Sequence, residues 1–261
     1  MIEINHLNLI DLIAIIALIS FTIVLCIWQG FGLGFAFAIA AAKSIIQLLI
    51  LGYTLDFILA LNNILAAVVI LILMLTLCAI TARNSITKKA PFILPLLWAS
   101  MFMSTAGVLL YANFLIFQPK SWYVPQYIIP LGAMVLNSTM STAILTGECL
   151  IRRMYSSQLE IETHLSLGAN PQQATTSLRQ EVTRTAFLPI INQMAVAGIF
   201  IPPGFMNGIL ISGVVQYSRP LQAASHQIVL LFMMATANLL TIVLLTQSLC
   251  YNLFNTEAQL K

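Results

Sequence analysis

The sequence has 261 residues, of which 60% are hydrophobic and only 7% are charged, whereas an average soluble domain carries about 25% charged residues. Eleven bases and eight acids cannot cover a globule of this size with the charged surface that solubility requires, so a soluble protein is excluded. The excess apolar surface must face lipid, so membrane lipid is an expected partner. The net charge of +3 comes from scattered bases rather than a basic stripe, so nucleic acid is not an expected partner.

Seven apolar stretches are long enough to cross a bilayer, which needs about 20 residues per helix. Pro202, Pro203 and Gly204 interrupt the sixth stretch. We predict an all-α integral membrane protein with about seven transmembrane helices, in a single domain of residues 1–261. The predicted spans are residues 7–28, 33–55, 62–81, 92–117, 127–150, 186–210 and 228–249.

The bases predict the orientation, because Lys and Arg are retained on the cytoplasmic side of a membrane. With seven spans, Lys120 and Arg219 lie on one side and Lys43 lies within span two. We therefore expect an inner-membrane protein whose N-terminus is outside and whose C-terminus is cytoplasmic. The cytoplasmic bases are then Arg83, Lys88, Lys89, Arg152, Arg153, Arg179, Arg184 and Lys261.

The predicted cytoplasmic loop of residues 151–185 is the one long polar segment, and its pattern indicates two helices around a break. Residues 158–167 form a helical run that Gly168 can end in the left-handed conformation. Asn170 suits an N-cap, Pro171 the first helical turn, and Gln173 the third position of a capping box. A second helix is predicted to continue to about Arg184.

That second helix is amphipathic, because Ala174, Leu178 and Val182 recur at four-residue spacing. Periodicity alone leaves two interpretations open. The hairpin can rest on the bilayer surface as an interfacial helix does, or it can bind another protein.

Polar residues inside the predicted spans are candidates for a translocation pathway. Lys43 lies deep in span two, with Gln47 one turn later. Lys43 is either a pathway or gating residue or a structural base that is hydrogen-bonded to a neighbouring helix. Asn137 and Ser141 share one face of span five, where helix packing is the commoner role of such residues. Glu148 and Arg152, four residues apart, predict an ion pair.

Span six carries further candidates around its proline pair. Pro202, Pro203 and Gly204 predict a non-helical segment at membrane depth, which is tolerated where it lines a cavity and suits a hinge. Asn192 precedes this segment and Met206 follows it. Methionines near it could bind a soft metal, but core filling is their commoner role, so the metal ligands stay unknown.

The segment of residues 162–171, with its Glu, its Leu-Gly-Ala and its Pro, resembles the cytoplasmic motif of ATP-binding-cassette (ABC) permeases. Residues 129–137, 160–171 and 203–208, with Lys43 and Gln47, together resemble the FetB-type permease family. That family includes a bacterial permease implicated in iron export and plant permeases involved in aluminium tolerance. The resemblance implies that the hairpin is a coupling helix that binds an ATPase subunit through Glu160, Glu162, Leu167, Gly168, Ala169, Asn170 and Pro171.

The resemblance further implies a permease subunit of an ABC transporter that exports iron from the cytoplasm, present as two copies. We expect no catalysis and no bound cofactor in this chain, since it has no phosphate-binding GxxxxGK[ST] loop. ATP and Mg²⁺ would bind to the partner ATPase. The alternatives are an ion-coupled secondary transporter of a small solute or metal, which would need more ionisable residues within spans, and an intramembrane enzyme, for which no nucleophile and base pair is visible.

Overall fold

The computed structural model describes six stretches of the chain, and every regular element in them is helical. The helices are α1 (Leu9–Trp28), α2 (Gly34–Leu61), α3 (Ile64–Ile86), α4 (Ile93–Tyr111) with a π-helical extension (Ala112–Phe117), α5 (Pro125–Ser156), α6 (Gln158–Ser166), α7 (Pro171–Ala174), α8 (Thr176–Phe200) and α9 (Pro220–Leu253). The described residues are 9–30, 34–61, 64–87, 92–117, 125–200 and 220–253.

Four described helices are long and apolar enough to cross a membrane. They are Leu65–Ile86, Ile93–Phe114, Ile128–Ser156 and Ala224–Asn252, which correspond to predicted spans three, four, five and seven. The all-helical membrane class is therefore confirmed. Predicted spans one and two lie on α1 and α2, and the second half of span six lies outside the described residues, so the total of seven stays a prediction.

Two helices extend beyond the segments predicted from the sequence. α5 continues through Arg153 to Ser156, past the end of predicted span five at residue 150. The second hairpin helix, predicted to continue to about Arg184, and predicted span six, which begins at residue 186, belong to one helix, α8, from Thr176 to Phe200. The reason is that the buried apolar repeat of Leu178 and Val182 continues to Ala186, so polar residues between them occupy the outer face of a helix rather than a loop.

The described chain divides into two compact units, residues 1–61 and 62–261. In the first unit, α1 and α2 pack against each other. In the second unit, α5 and α9 are central: α5 contacts α3, α4 and α8, and α9 contacts α4, α5 and α8. The core of this unit is built from large side chains with almost no exposure, among them Leu97, Met101, Leu150, Leu245 and Leu249.

Two glycines allow α3 and α5 to approach closely. A Cβ atom at Gly132 would lie 2.5 Å from Leu71 Cδ2, and one at Gly147 would lie 2.4 Å from Ile86 Cδ1. Gly132 and Gly147 are as far apart along α5 as Leu71 and Ile86 are along α3, and the later residue on one helix meets the later residue on the other. The two helices therefore run in the same direction. Their C-terminal ends, which carry Arg83 and Arg153, therefore lie at one end of the unit, as the sequence predicts.

Buried hydroxyl and amide groups link the helices of the second unit. Ser104 Oγ lies 2.7 Å from Thr241 Oγ1, which joins α4 to α9. Asn238 Nδ2 donates to Ser138 Oγ at 2.7 Å, which joins α9 to α5. Such bonds between membrane helices contribute about 0.6 kcal/mol each on average.

A branched side chain at Gly147 is expected to separate α3 from α5. We expect Gly147→Val to lower the free energy of unfolding by about 1–3 kcal/mol, as overpacking of a core does. The loss should be partly restored in the double variant with Ile86→Ala, which removes the clashing atoms. Thermal unfolding of the detergent-solubilised chain, followed by size-exclusion chromatography, measures both.

Gly107→Val is the matched control, because a Cβ atom at Gly107 in α4 meets nothing within 4 Å. Equal destabilisation by Gly107→Val and Gly147→Val would contradict the close packing of α3 on α5.

Candidate functional site

A cleft of about 380 Å³ lies between α5, α8 and α9, and its lining combines polar side chains with a larger apolar area. Ligand sites for small molecules typically measure about 300–1,000 Å³, so the cleft is large enough to hold one. Its polar walls consist of amides and hydroxyls, and two thioethers accompany them. These side chains are Asn137, Ser138, Ser141, Thr142, Gln193, Gln227, Met134 and Met234.

Helical periodicity explains why α5 supplies most of the polar wall. Residues 134, 137, 138, 141, 142 and 145 are separated by steps of three and four, which places them on one face of a helix. On α8 the same spacing connects Ala186, Pro189, Ile190 and Gln193. The cleft is therefore a meeting of regular helix faces, which holds its groups on rigid elements.

The hydroxyls of the cleft differ in how their hydrogen bonds are used. Ser141 Oγ donates to the Asn137 carbonyl at 3.1 Å, so its hydrogen is committed to its own helix. Ser138 Oγ instead accepts from Asn238 Nδ2. Thr142 is 5% exposed and lines the cleft, and its hydroxyl forms no hydrogen bond within the described part of the chain.

The structure brings together only some of the residues predicted for the pathway. Asn137 and Ser141 both line the cleft. Asn192 is exposed on α8 but does not line it, and its neighbour Gln193 does. Lys43 and Gln47 belong to α2 in the first unit, where their side chains are exposed. The remaining pathway residues, Pro202, Pro203, Gly204 and Met206, lie outside the described residues.

The sequence analysis missed several residues of the cleft as site residues. Gln193 could have been found, because it lies seven residues after Ala186 on the face of α8 that continues the buried stripe. Met134 and Pro189 carry no such signal. Among the described residues, no group of three or more His, Cys, Asp or Glu side chains could hold a metal ion, so the metal ligands stay unknown.

The second candidate site is the hairpin of residues 157–175, which contains α6 and α7. Gly168 has φ +90°, and the amide nitrogens of Gly168 and Ala169 bond to the carbonyls of Leu165 and His164, both at 3.0 Å. This is a Schellman end to α6. The Asn170 amide nitrogen donates to Gln173 Oε1 at 3.0 Å, as a capping box requires.

The hairpin has a buried underside and an exposed outer surface. Ile161 and Ala174 are buried in the core cluster of the second unit, together with Leu178 and Val182 of α8. The outer surface exposes Leu159 and Leu167 at 80% and 79%, beside exposed Glu160 and Glu162. Gln158 donates to Glu162 Oε1 at 2.8 Å. The hairpin therefore presents exposed apolar side chains on a well-anchored base.

An ion pair connects α5 to α8 near the hairpin, and it is not the pair expected from the sequence. Arg153 pairs with Glu181, whereas Glu148 and Arg152 form no ion pair in this described region. The prediction from four-residue spacing is wrong because Arg153 reaches the partner that the continuous α8 provides. α7 of the hairpin also contacts α9.

Sequence comparisons place the chain among known membrane proteins. The uncharacterised protein family UPF0014 matches residues 9–254. The chain belongs to the UPF0014 family. Among UPF0014 proteins, it is 37% identical over 245 residues to the UPF0014 membrane protein slr1647 of Synechocystis sp., covering 94% of this chain and 93% of the relative. No solved structure matches the chain.

More distant relatives carry functional names and align over part of their length. The chain is 31% identical over 157 residues to the probable iron export permease protein FetB of Escherichia coli, covering 60% of this chain and 59% of the relative. It is also 31% identical over 137 residues to the protein ALUMINUM SENSITIVE 3 of Arabidopsis thaliana, covering 52% of this chain and 48% of the relative.

If the cleft holds water, a thiol placed in it should react with a charged reagent that cannot enter lipid. In a variant whose four native cysteines are replaced, we expect Ser141→Cys to react at least about tenfold faster with a sulfonate-bearing thiosulfonate than Ala143→Cys, because thiolates form where water reaches. Ala143 has 0% exposure on another face of the same helix. Equal rates at the two positions would contradict a water-filled cleft.

Proposed function

We propose that this UPF0014 protein is the permease subunit of an ABC transporter that exports iron from the cytoplasm. ATP and Mg²⁺ bind to a separate ATPase subunit, and the transporter contains two copies of this chain. The chain lies in the inner membrane with its N-terminus outside and its C-terminus in the cytoplasm, where the hairpin meets the ATPase. The iron cargo is suggested by the printed name of the E. coli relative.

The observation that carries this proposal is the exposed outer surface of the hairpin. Leu159 and Leu167 are each about four-fifths exposed, although their segment is closely fixed to the core through Ile161. Exposed apolar side chains on a rigid base favour a protein partner over solvent. Glu160 and Glu162 border them and give the surface a negative charge, so the matching groove on the ATPase subunit should be apolar with basic edges.

The connections behind the hairpin suggest how movement of the ATPase reaches the cleft. Arg153 and Glu181 join α5 to α8, and α7 of the hairpin contacts α9. α5, α8 and α9 are also the walls of the cleft. A displacement of the hairpin is therefore passed to all three walls, which is the requirement for alternating access to Asn137 and Ser141.

A charged side chain in the docking surface should separate the two subunits. We expect Leu167→Glu with Ala169→Glu to abolish co-purification of the ATPase in mild detergent, because burying an unpaired charge costs more than the contact contributes. Gln180→Glu is the control, since it adds one negative charge, against two in the double variant, to an exposed position on α8. Stoichiometric ATPase retained by the double variant would overturn the assignment of the hairpin.

The cargo is tested by flux. In inverted membrane vesicles, we expect ATP-dependent accumulation of radiolabelled iron with the wild-type chain and none with the Leu167→Glu, Ala169→Glu variant. Gln180→Glu should transport at the wild-type rate. A complex that retains its ATPase and hydrolyses ATP, yet moves no iron, would refute iron as the cargo while leaving the ABC assignment intact.

A further inference from the structure

The Asn238 side chain occupies an unusual position behind the cleft. It has 0% exposure, its Nδ2 donates to Ser138 Oγ at 2.7 Å, and its Oδ1 is buried without a hydrogen-bond partner. An unsatisfied buried carbonyl oxygen is costly inside a membrane helix bundle. The cost of burying this oxygen is explained if the NH₂ group of Asn238 has a specific role.

The role of the Asn238 amide follows from a comparison of Ser138 with the other hydroxyl side chains of α5. Thr139, Ser141 and Thr146 each donate their hydroxyl hydrogen to a carbonyl of the preceding turn. Ser138 makes no such bond in the described structure, and its oxygen accepts from Asn238. A hydroxyl whose oxygen accepts a hydrogen bond directs its own hydrogen elsewhere. Ser138 lines the cleft, so its hydroxyl hydrogen is available to a ligand there.

The other free groups of the cleft can also donate. Asn137 and Gln193 are exposed in it, and their side chains form no hydrogen bond within the described segments. Each amide supplies two N–H donors, and Thr142 supplies a hydroxyl. Donors that converge on a space of about 380 Å³ match a ligand with several acceptor oxygens, and that volume equals roughly a dozen water molecules at about 30 Å³ each.

We infer that the cleft recognises its cargo through acceptor oxygens on the cargo's surface, as in a metal ion enclosed in an oxygen-donor chelate, and that Asn238 is the positioning residue that turns the Ser138 hydroxyl towards them. The choice of an iron chelate rests on the proposed function. The recognition by acceptor oxygens does not, because it rests on the Ser138 hydroxyl and on the amide N–H groups of the cleft.

Binding to the full-length chain in detergent tests the inference without ATP or the ATPase subunit. The result can therefore be interpreted even if the chain is not the permease of an ABC transporter. The probe is ferric citrate, measured by equilibrium dialysis. We expect Ser138→Ala and Asn238→Leu each to weaken binding about fivefold, the effect of one lost hydrogen bond. The double variant should be no weaker than either single variant, because Asn238 acts through Ser138.

Thr236→Ala is the matched control: Thr236 lies on α9 two residues from Asn238, and its hydroxyl already donates to the Phe232 carbonyl at 2.9 Å. We expect unchanged binding and unchanged thermal unfolding for this variant. Hexaamminecobalt(III), whose surface offers only N–H donors, should bind to the wild-type chain less tightly than ferric citrate. Metal-free citrate distinguishes the sources of the oxygens: binding equal to that of ferric citrate identifies an organic acid as the cargo, and weaker binding identifies the complex.

Three results would overturn the inference. The first is wild-type affinity for ferric citrate in both single variants. The second is a double variant whose loss is the product of the two single losses, which would mean that Asn238 acts independently of Ser138. The third is binding of hexaamminecobalt(III) as tight as that of ferric citrate.

Discussion

The structure depends on one constraint: inside a lipid bilayer, polar groups must find their hydrogen-bond partners within the protein. Most hydroxyls of the spans meet it locally, as Thr146 does by donating to the Thr142 carbonyl at 2.7 Å. A few meet it between helices, as Ser104 does with Thr241. Several of the groups left over after both solutions, among them Asn137, Thr142 and Gln193, lie along one cleft, where a polar ligand can satisfy them.

The same helices that form the cleft also support the hairpin, and this explains the shape of the second unit. α5 extends beyond its apolar span to Ser156, so Arg153 stands on a continuous helix and reaches Glu181 of α8. α8 in turn is unbroken from Thr176 to Phe200. α5 and α8 run from the cleft to the turns at Ser157 and Thr175 that border the hairpin, so the hairpin and two walls of the cleft are built on the same helices.

The sequence predicts those features that depend on local chemistry. The end of α6 follows from Gly168, whose φ of +90° suits a residue without a Cβ atom, and the start of α7 follows from Asn170 and Pro171. Hydropathy finds four membrane-length helices for the same reason, since lipid acts on each helix separately. Such signals need no knowledge of neighbouring elements.

Features that depend on which helices meet were not predictable in this way. The face of α5 that carries Asn137 and Ser141 could be read from the sequence, but the fact that this face meets Gln193 of α8 and Gln227 of α9 could not. The sequence analysis separates a cytoplasmic segment of residues 151–185 from a span that begins at residue 186, because polar residues on the outer face of a helix look like a loop when the helix is not yet known to pack. In the structure one helix continues across this boundary. Pairing of Arg153 with Glu181, 28 residues apart, required the same tertiary knowledge.

Pro189 has a consequence for the geometry of the cleft. It lies inside α8 and lines the cleft, and because it has no amide hydrogen, the Thr185 carbonyl lacks its helical donor. α8 can therefore bend at this point without breaking a backbone hydrogen bond. Phe200 lies 11 residues further, about 16 Å along the axis, so a bend of about 10° displaces it by roughly 3 Å. Gln193 moves by about 1 Å in the same bend, which is enough to make or break a hydrogen bond, while Leu178 and Val182 keep their packing. A small angle at one proline thus changes the width of the cleft and leaves the hairpin anchorage unaltered.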